Sequence, residues 1–226
     1  MIVDWLTLVV ATFVALLPIA NPFSTAPVFV AVTQSMTAER RMQQARMACI
    51  YVFAVLTVAL LAGALVLGFF GISIHALRVA GGLIVARIGF GMLGPEPERQ
   101  LDDETRAEAM EMQDVAFTPV AMPMLSGPGS IAVTIGMATE VRHPLENLAI
   151  IGGIALVAFA SWLILRSSLR VVDFLGATGV SVLTRIMGLL LVGIGIQFVF
   201  TGIVEPLTGD LFIGAIVEAV ERAYAP

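Results

Sequence analysis

The sequence predicts an all-α membrane protein of six transmembrane helices, arranged as two inverted three-helix repeats with spans one and four discontinuous. Three observations predict it. Mean hydropathy is +0.97, and 13% of residues are charged, where a soluble domain carries about 25%. Several charge-free runs reach about 20 residues, the length a helix needs to cross the hydrocarbon. A proline-broken apolar segment also occurs twice, as Leu16-Leu17-Pro18-Ile19-Ala20-Asn21-Pro22-Phe23-Ser24-Thr25-Ala26-Pro27 and as Pro119-Val120-Ala121-Met122-Pro123-Met124-Leu125-Ser126-Gly127-Pro128-Gly129-Ser130. Irregular backbone at membrane depth is tolerated only where protein or a water-filled cavity satisfies the freed polar groups.

The expected spans are 3–33, 45–70, 75–94, 116–139, 147–166 and 184–204. The N-terminus carries Asp4 where a signal peptide would be basic, so it reads as a retained first span, with Trp5 as an interfacial anchor. As one straight helix that span would reach about 46 Å against a core of about 30 Å. A break at Pro18–Pro22 absorbs the excess. The fourth span is broken by Pro123, Gly127, Pro128 and Gly129.

Residues 1–94 form the first repeat, 95–115 an acidic cytoplasmic linker, 116–205 the second repeat and 206–226 an interfacial amphipathic tail. The linker holds eight acids and two arginines, and its expected role is a solvated connection. Loops after spans one, three and five hold eight arginines and the opposite side three. The positive-inside rule therefore puts both termini outside a bacterial-type inner membrane.

The halves align at a nearly constant offset. Asn21–Ala26 lies over Gly127–Ala132, Phe53-Ala54 over Phe159-Ala160, and Arg78–Gly81 over Arg185–Gly188. Each half has three spans, an odd number, so the second enters from the opposite side. That is an inverted repeat, which places a binding site where the broken helices meet.

Asn21 is the expected N-cap of a half-helix and Pro22 its first residue, positions each residue type favours. The amides of Phe23, Ser24 and Thr25 then face the break. Gly127 and Pro128 play the same parts, exposing the amides of Gly129, Ser130 and Ile131. Converging helix N-termini bind an anion without a charged side chain. The unwound carbonyls around Pro18–Ala20 and Met124–Ser126 accept hydrogen bonds from an ammonium group, and hydroxyls of Ser24, Thr25, Ser126 and Ser130 add polar groups. The expected ligand is a small zwitterion. The plainer alternative is that the prolines only kink packed helices.

Other features are assigned structural roles. Arg78, Arg87 and Arg185 are expected to snorkel. Gly81, Gly82, Gly89, Gly91, Gly188, Gly193 and Gly195 are expected to allow close helix packing. All 12 basic residues are arginine, which excludes a P-loop or Schiff-base lysine. One cysteine and two histidines make a poor metal site, and no nucleophile–base pair stands within the spans. No cofactor, metal, catalytic residue or nucleic-acid partner is expected, and the chain is not expected to be an enzyme. No span carries an internal carboxylate, so proton coupling has no visible buried acid, and sodium coupling or uncoupled export stays open.

Asn21-Pro22 with Pro27-Val28-Phe29, and Pro119-x-x-x-Pro123 running into Ser126-Gly127-Pro128-Gly129-Ser130-Ile131, resemble the two signature segments of the MarC family. Arg78-Val79-Ala80-Gly81-Gly82 and Arg185-Ile186-Met187-Gly188-Leu189-Leu190 are similar to its third and sixth spans. Ser24 departs from the glycine many members carry there. The resemblance covers residues 1 to about 205. It implies a six-span inner-membrane protein of a group that includes transporters of small neutral amino acids, related to the LysE-type exporters. The expected function is a secondary transporter, an exporter or exchanger, of small neutral amino acids or similar zwitterions by alternating access. The alternative is a non-transporting scaffold or stress-related protein that acts through its acidic linker.

Overall fold

The computed structural model describes residues 2–94, 112, 114–141 and 143–208. These form eight helical segments: α1 (Ile2–Ala20), α2 (Pro22–Val32), α3 (Ala38–Phe70), α4 (Ile74–Leu93), α5 (Ala116–Leu125), α6 (Pro128–Glu140), α7 (Pro144–Arg166) and α8 (Ser168–Thr208). Four helices are long and apolar enough to cross a membrane. Two bent pairs, α1 with α2 at 45° and α5 with α6 at 63°, bring the number to six when each pair counts as one span. Residues 95–111 and 113 of the 95–115 linker and the tail from 209 onward lie outside the described residues.

Local sequence explains most of the helix ends. Thr37 accepts a hydrogen bond from the Arg40 amide and starts α3, two turns earlier than the apolar run alone suggests. Its first turns are polar, and a side-chain oxygen at the N-cap suffices to begin them. Ser73 caps α4 in the same way through the Ala76 amide. The Arg41 guanidinium closes the far end of α2, donating to Thr33 Oγ1 and the Thr33 carbonyl at 3.0 Å each. A cation at a helix C-terminus is favoured by the dipole. The segment after α7, expected to be a loop, is instead helical from Ser168. Gly176 at φ 61° breaks α8 near its start, so the apolar span runs Thr178–Thr208.

The bundle exchanges elements between its halves. α2 packs on α8 and α6 on α4, while α1 lies against α7 and α5 against α3. The most extensive pair is α4 with α8. Here glycine is required by contact: a Cβ on Gly82 would fall 2.5 Å from the Gly195 carbonyl oxygen, and one on Gly89 2.7 Å from that of Gly188. Without a hydrophobic drive between helices in lipid, close backbone approach of this kind is what holds them. Gly193 does not share the role, since a Cβ there meets nothing within 4 Å. The buried centre includes Leu16, Phe29, Val52, Leu56, Leu125 and Ile154.

Arg78 corrects a sequence expectation. It does not snorkel: it is 5% exposed and hydrogen-bonds Glu205 of α8, with His75 Nδ1 3.7 Å from the same carboxylate. A buried guanidinium needs a carboxylate more than it needs the interface. Arg185 and Arg87 are exposed. Arg87 stands among the outward-facing Leu83, Ile84, Ile88 and Phe90.

Candidate functional site

At the first break one residue serves two helices. Asn21 is left-handed (φ 40°, ψ 62°), a conformation asparagine tolerates better than most side chains. Its amide donates to the Leu17 carbonyl at 2.9 Å and ends α1. Its Oδ1 accepts from the Ser24 amide at 3.4 Å and begins α2. Its Nδ2 donates to Ser24 Oγ at 2.7 Å and lies 3.9 Å from Met92 Sδ of α4. Ser24 Oγ in turn shares a 2.7 Å hydrogen bond with Thr184 Oγ1 of α8.

This arrangement corrects the expected set of free amides. The Ser24 amide is capped, and the Thr25 amide reaches the Asn21 carbonyl at 3.3 Å. The first break is therefore largely closed by its own residues.

The second break is built differently. Met122 and Thr118 are extended, each before a cis proline, as residues preceding proline tend to be extended. The α5 turns close with hydrogen bonds five residues apart, Val120 to Val115 and Ser126 to Ala121. Gly127 is extended (ψ 179°) and no side chain caps α6. The Ile131 amide takes the Gly127 carbonyl at 3.1 Å, so Ile131 leaves the expected set. The amides of Gly129 and Ser130 precede that first helical bond and face the break.

Both residues line a cavity of about 270 Å³. Five sequence-predicted site residues line it: Asn21, Gly127, Pro128, Gly129 and Ser130. Both breaks thus contribute to one cavity. The rest of the wall is Ile19 with Ile88, Gly91 and Met92 of α4, and Pro123 and Met124 of α5. Gly91 therefore faces the cavity, where a packing role was expected. No lining residue carries a formal charge. A Cβ on Gly129 would meet side chains, lying 3.0 Å from Val85 Cγ2 and 3.5 Å from Ile19 Cγ2.

The other predicted residues stand behind this wall. Pro22, Thr25 and Ser126 are buried, and Phe23 and Ser24 are half-buried, away from the cavity. Three of the expected hydroxyls, that of cavity-lining Ser130 included, serve the chain itself. Thr25 donates to the Asn21 carbonyl at 3.2 Å, Ser126 to Ala121 at 2.8 Å and Ser130 to Leu125 at 3.3 Å. Freed carbonyls at membrane depth need such donors.

Sequence reasoning missed the α4 wall and Thr184. Met92 carries no local signal. Thr184 precedes Arg185 in the aligned segment, but nothing in that pattern points to Ser24. A Gln44 side chain was also missed: it is buried in α3 and accepts from the Val115 amide at 2.9 Å, fixing the entry to α5.

A model described as MarC family integral membrane protein matches residues 6–207. The UPF0056 inner membrane protein MarC of Citrobacter koseri is 41% identical over 203 residues, covering 85% of this chain and 92% of that protein. The proteins of the same name from Salmonella typhimurium and Escherichia coli O1:K1 are each 42% identical with the same coverage. No solved structure matches the chain.

Proposed function

We propose, for a chain that belongs to the MarC family of inner-membrane proteins, that it is a secondary transporter of small neutral amino acids or similar zwitterions. One observation carries the reading. The uncapped start of α6 opens on an uncharged cavity that the first break also lines.

The chemistry follows from that geometry. A carboxylate at the Gly129 and Ser130 amides gains the positive end of the α6 dipole and two donors without displacing a side chain. The ammonium end then faces backbone carbonyls of the α5–α6 break. The cavity, at about 270 Å³, sits at the small end of the range for ligand sites, roughly 300–1,000 Å³. Ile19, Ile88 and Met92 leave an apolar wall for a short side chain. With no titratable group on the lining, the site suits passage better than catalysis.

Alternating access is supported by the exchange of elements between halves. α2 rests on the last span and α6 on the third, so each half-helix after a break rides on the other repeat. In an inverted-topology transporter, rocking one repeat against the other opens the midplane site to alternate sides. The arginine bias of the loops supports an orientation with both termini outside.

The test is uptake of labelled small amino acids into proteoliposomes, with proton and sodium gradients imposed in separate arms and a Gly129→Leu variant alongside. Saturable uptake that this variant abolishes is the expected result. Uptake unchanged in Gly129→Leu would remove the pocket from the mechanism. Function that instead depends on residues 95–115 would favour the scaffold reading.

A further inference from the structure

A second concave surface lies away from the breaks, between α3 and α7. It has a volume of about 520 Å³ and is walled by Ile50 and Phe53 of α3 and by Ala158, Phe159 and Trp162 of α7, with Arg46 at its edge. Ile50 is 46% exposed and Phe159 59%, so the groove faces outward from the bundle, where an inner-membrane protein meets acyl chains.

The charges mark one end of it. Arg46 stands directly before the apolar run of α3, and Arg166 is the last residue of α7. Arg166 lies with its guanidinium carbon 5.1 Å from the centroid of the Trp162 ring, which itself stacks toward Phe159 at 5.7 Å. Both arginines are exposed, and among the described residues neither is paired with a carboxylate. Phe53 and Phe159 each lie seven residues from the arginine of their own helix, two turns or about 10 Å deeper. These two phenylalanines are also the pair that the repeat alignment superposes, a correspondence the cavity at the breaks does not use.

An aromatic, apolar trough with an indole at its mouth, beside two guanidiniums that meet no carboxylate among the described residues, matches one class of molecule. We infer that this groove holds an anionic phospholipid. Its phosphate is gripped by Arg46 and Arg166, and one acyl chain lies along Phe53 and Phe159. Guanidinium groups bind phosphate oxygens through paired hydrogen bonds. Basic pockets between transmembrane helices take anionic headgroups, and tryptophan belongs at that depth. The inference does not depend on transport.

The chain has two tryptophans, so Trp5→Phe leaves Trp162 as the sole reporter in the groove. The full-length Trp5→Phe protein is placed in phosphatidylcholine bilayers, and its fluorescence is followed as brominated phosphatidylglycerol or brominated phosphatidylcholine is added. Brominated phosphatidylglycerol is expected to quench Trp162 at a much lower mole fraction. Arg46→Gln should cut that preference about fivefold, the weight of one arginine at an anionic surface, and adding Arg166→Gln should bring the two lipids level. Arg170→Gln removes an exposed arginine that neither lines the groove nor stacks on its tryptophan and should change nothing. Equal quenching by the two lipids overturns the proposal. So does an Arg170→Gln effect as large as that of Arg46→Gln, because diffuse surface charge would then explain the preference. Far-UV circular dichroism checks folding. If the double variant fails that check, Arg46→Gln alone and loss of the preference at high salt decide the matter.

Discussion

Asn21 and Gly127 hold equivalent places, each one residue before a proline that starts a half-helix, yet they leave the backbone in different states. Asn21 closes its break: its side chain caps α2 and, through Ser24, ties that helix to Thr184 of α8. Gly127 closes nothing, and α6 begins with its donors turned to a cavity. Two breaks that look alike in sequence therefore divide the work. The first is a fixed joint, rigid because each polar atom of Asn21 has a partner. The second is the open end, where α6 starts without a side-chain cap beside the cavity and where the proposed ligand would bind.

The sharpest way to break that comparison is at Gly129. A leucine there projects into the cavity against Val85 and Ile19, and transport should fall below detection while the protein still inserts and purifies. The cost to the fold should stay within about 1–3 kcal/mol, the usual penalty for overpacking. Measuring uptake beside thermal unfolding in detergent separates the two effects. Gly127 is a poorer probe, because a Cβ there would sit 2.6 Å from the Pro123 carbonyl oxygen and would move backbone.

Asn21→Ala attacks the closed joint. It loses a cap, about 1 kcal/mol, and forces alanine into a left-handed conformation for another 1–2 kcal/mol or so. A marked fall in unfolding temperature is expected, and Asn21→Gly should recover the conformational part of it. Equal losses in both variants would show that the left-handed backbone is not what asparagine supplies.

Asn21→Asp keeps the acceptor for the Ser24 amide but places a carboxylate on the cavity wall. Affinity for a carboxylate ligand should drop by more than about tenfold at neutral pH, with the fold retained, as equilibrium binding of a labelled substrate would report. The smallest effect is expected from Thr184→Val, which removes one hydrogen bond 160 residues distant in sequence. About 1 kcal/mol of stability should go, with substrate affinity nearly unchanged. A large loss of transport there would mean that the joint moves during the cycle.

Much of this was legible because the relevant chemistry is local. Asparagine before proline, glycine before proline and 20-residue apolar runs each act within a few residues of themselves. The bends and the half-helix starts therefore appear where the sequence places them. The free amides were read too generously at Ser24, Thr25 and Ile131, because the first intrahelical bonds and a side-chain cap claim them. Arg78 was misjudged for a different reason. Its partner Glu205 lies 127 residues away, and a charge that looks interfacial on one helix is buried once two helices meet.

From composition, span length and the position of two prolines, the sequence by itself determined an all-helical membrane chain with two broken helical segments. Those are properties of short segments in a solvent that cannot hydrogen-bond. Tertiary structure alone decided that one break is sealed and the other open, that α4 supplies the cavity wall, and that the hydroxyls serve the backbone. The reason is distance along the chain. Met92 and Asn21 are 71 residues apart, and only the packing of α4 against α8, glycine against carbonyl, sets them side by side.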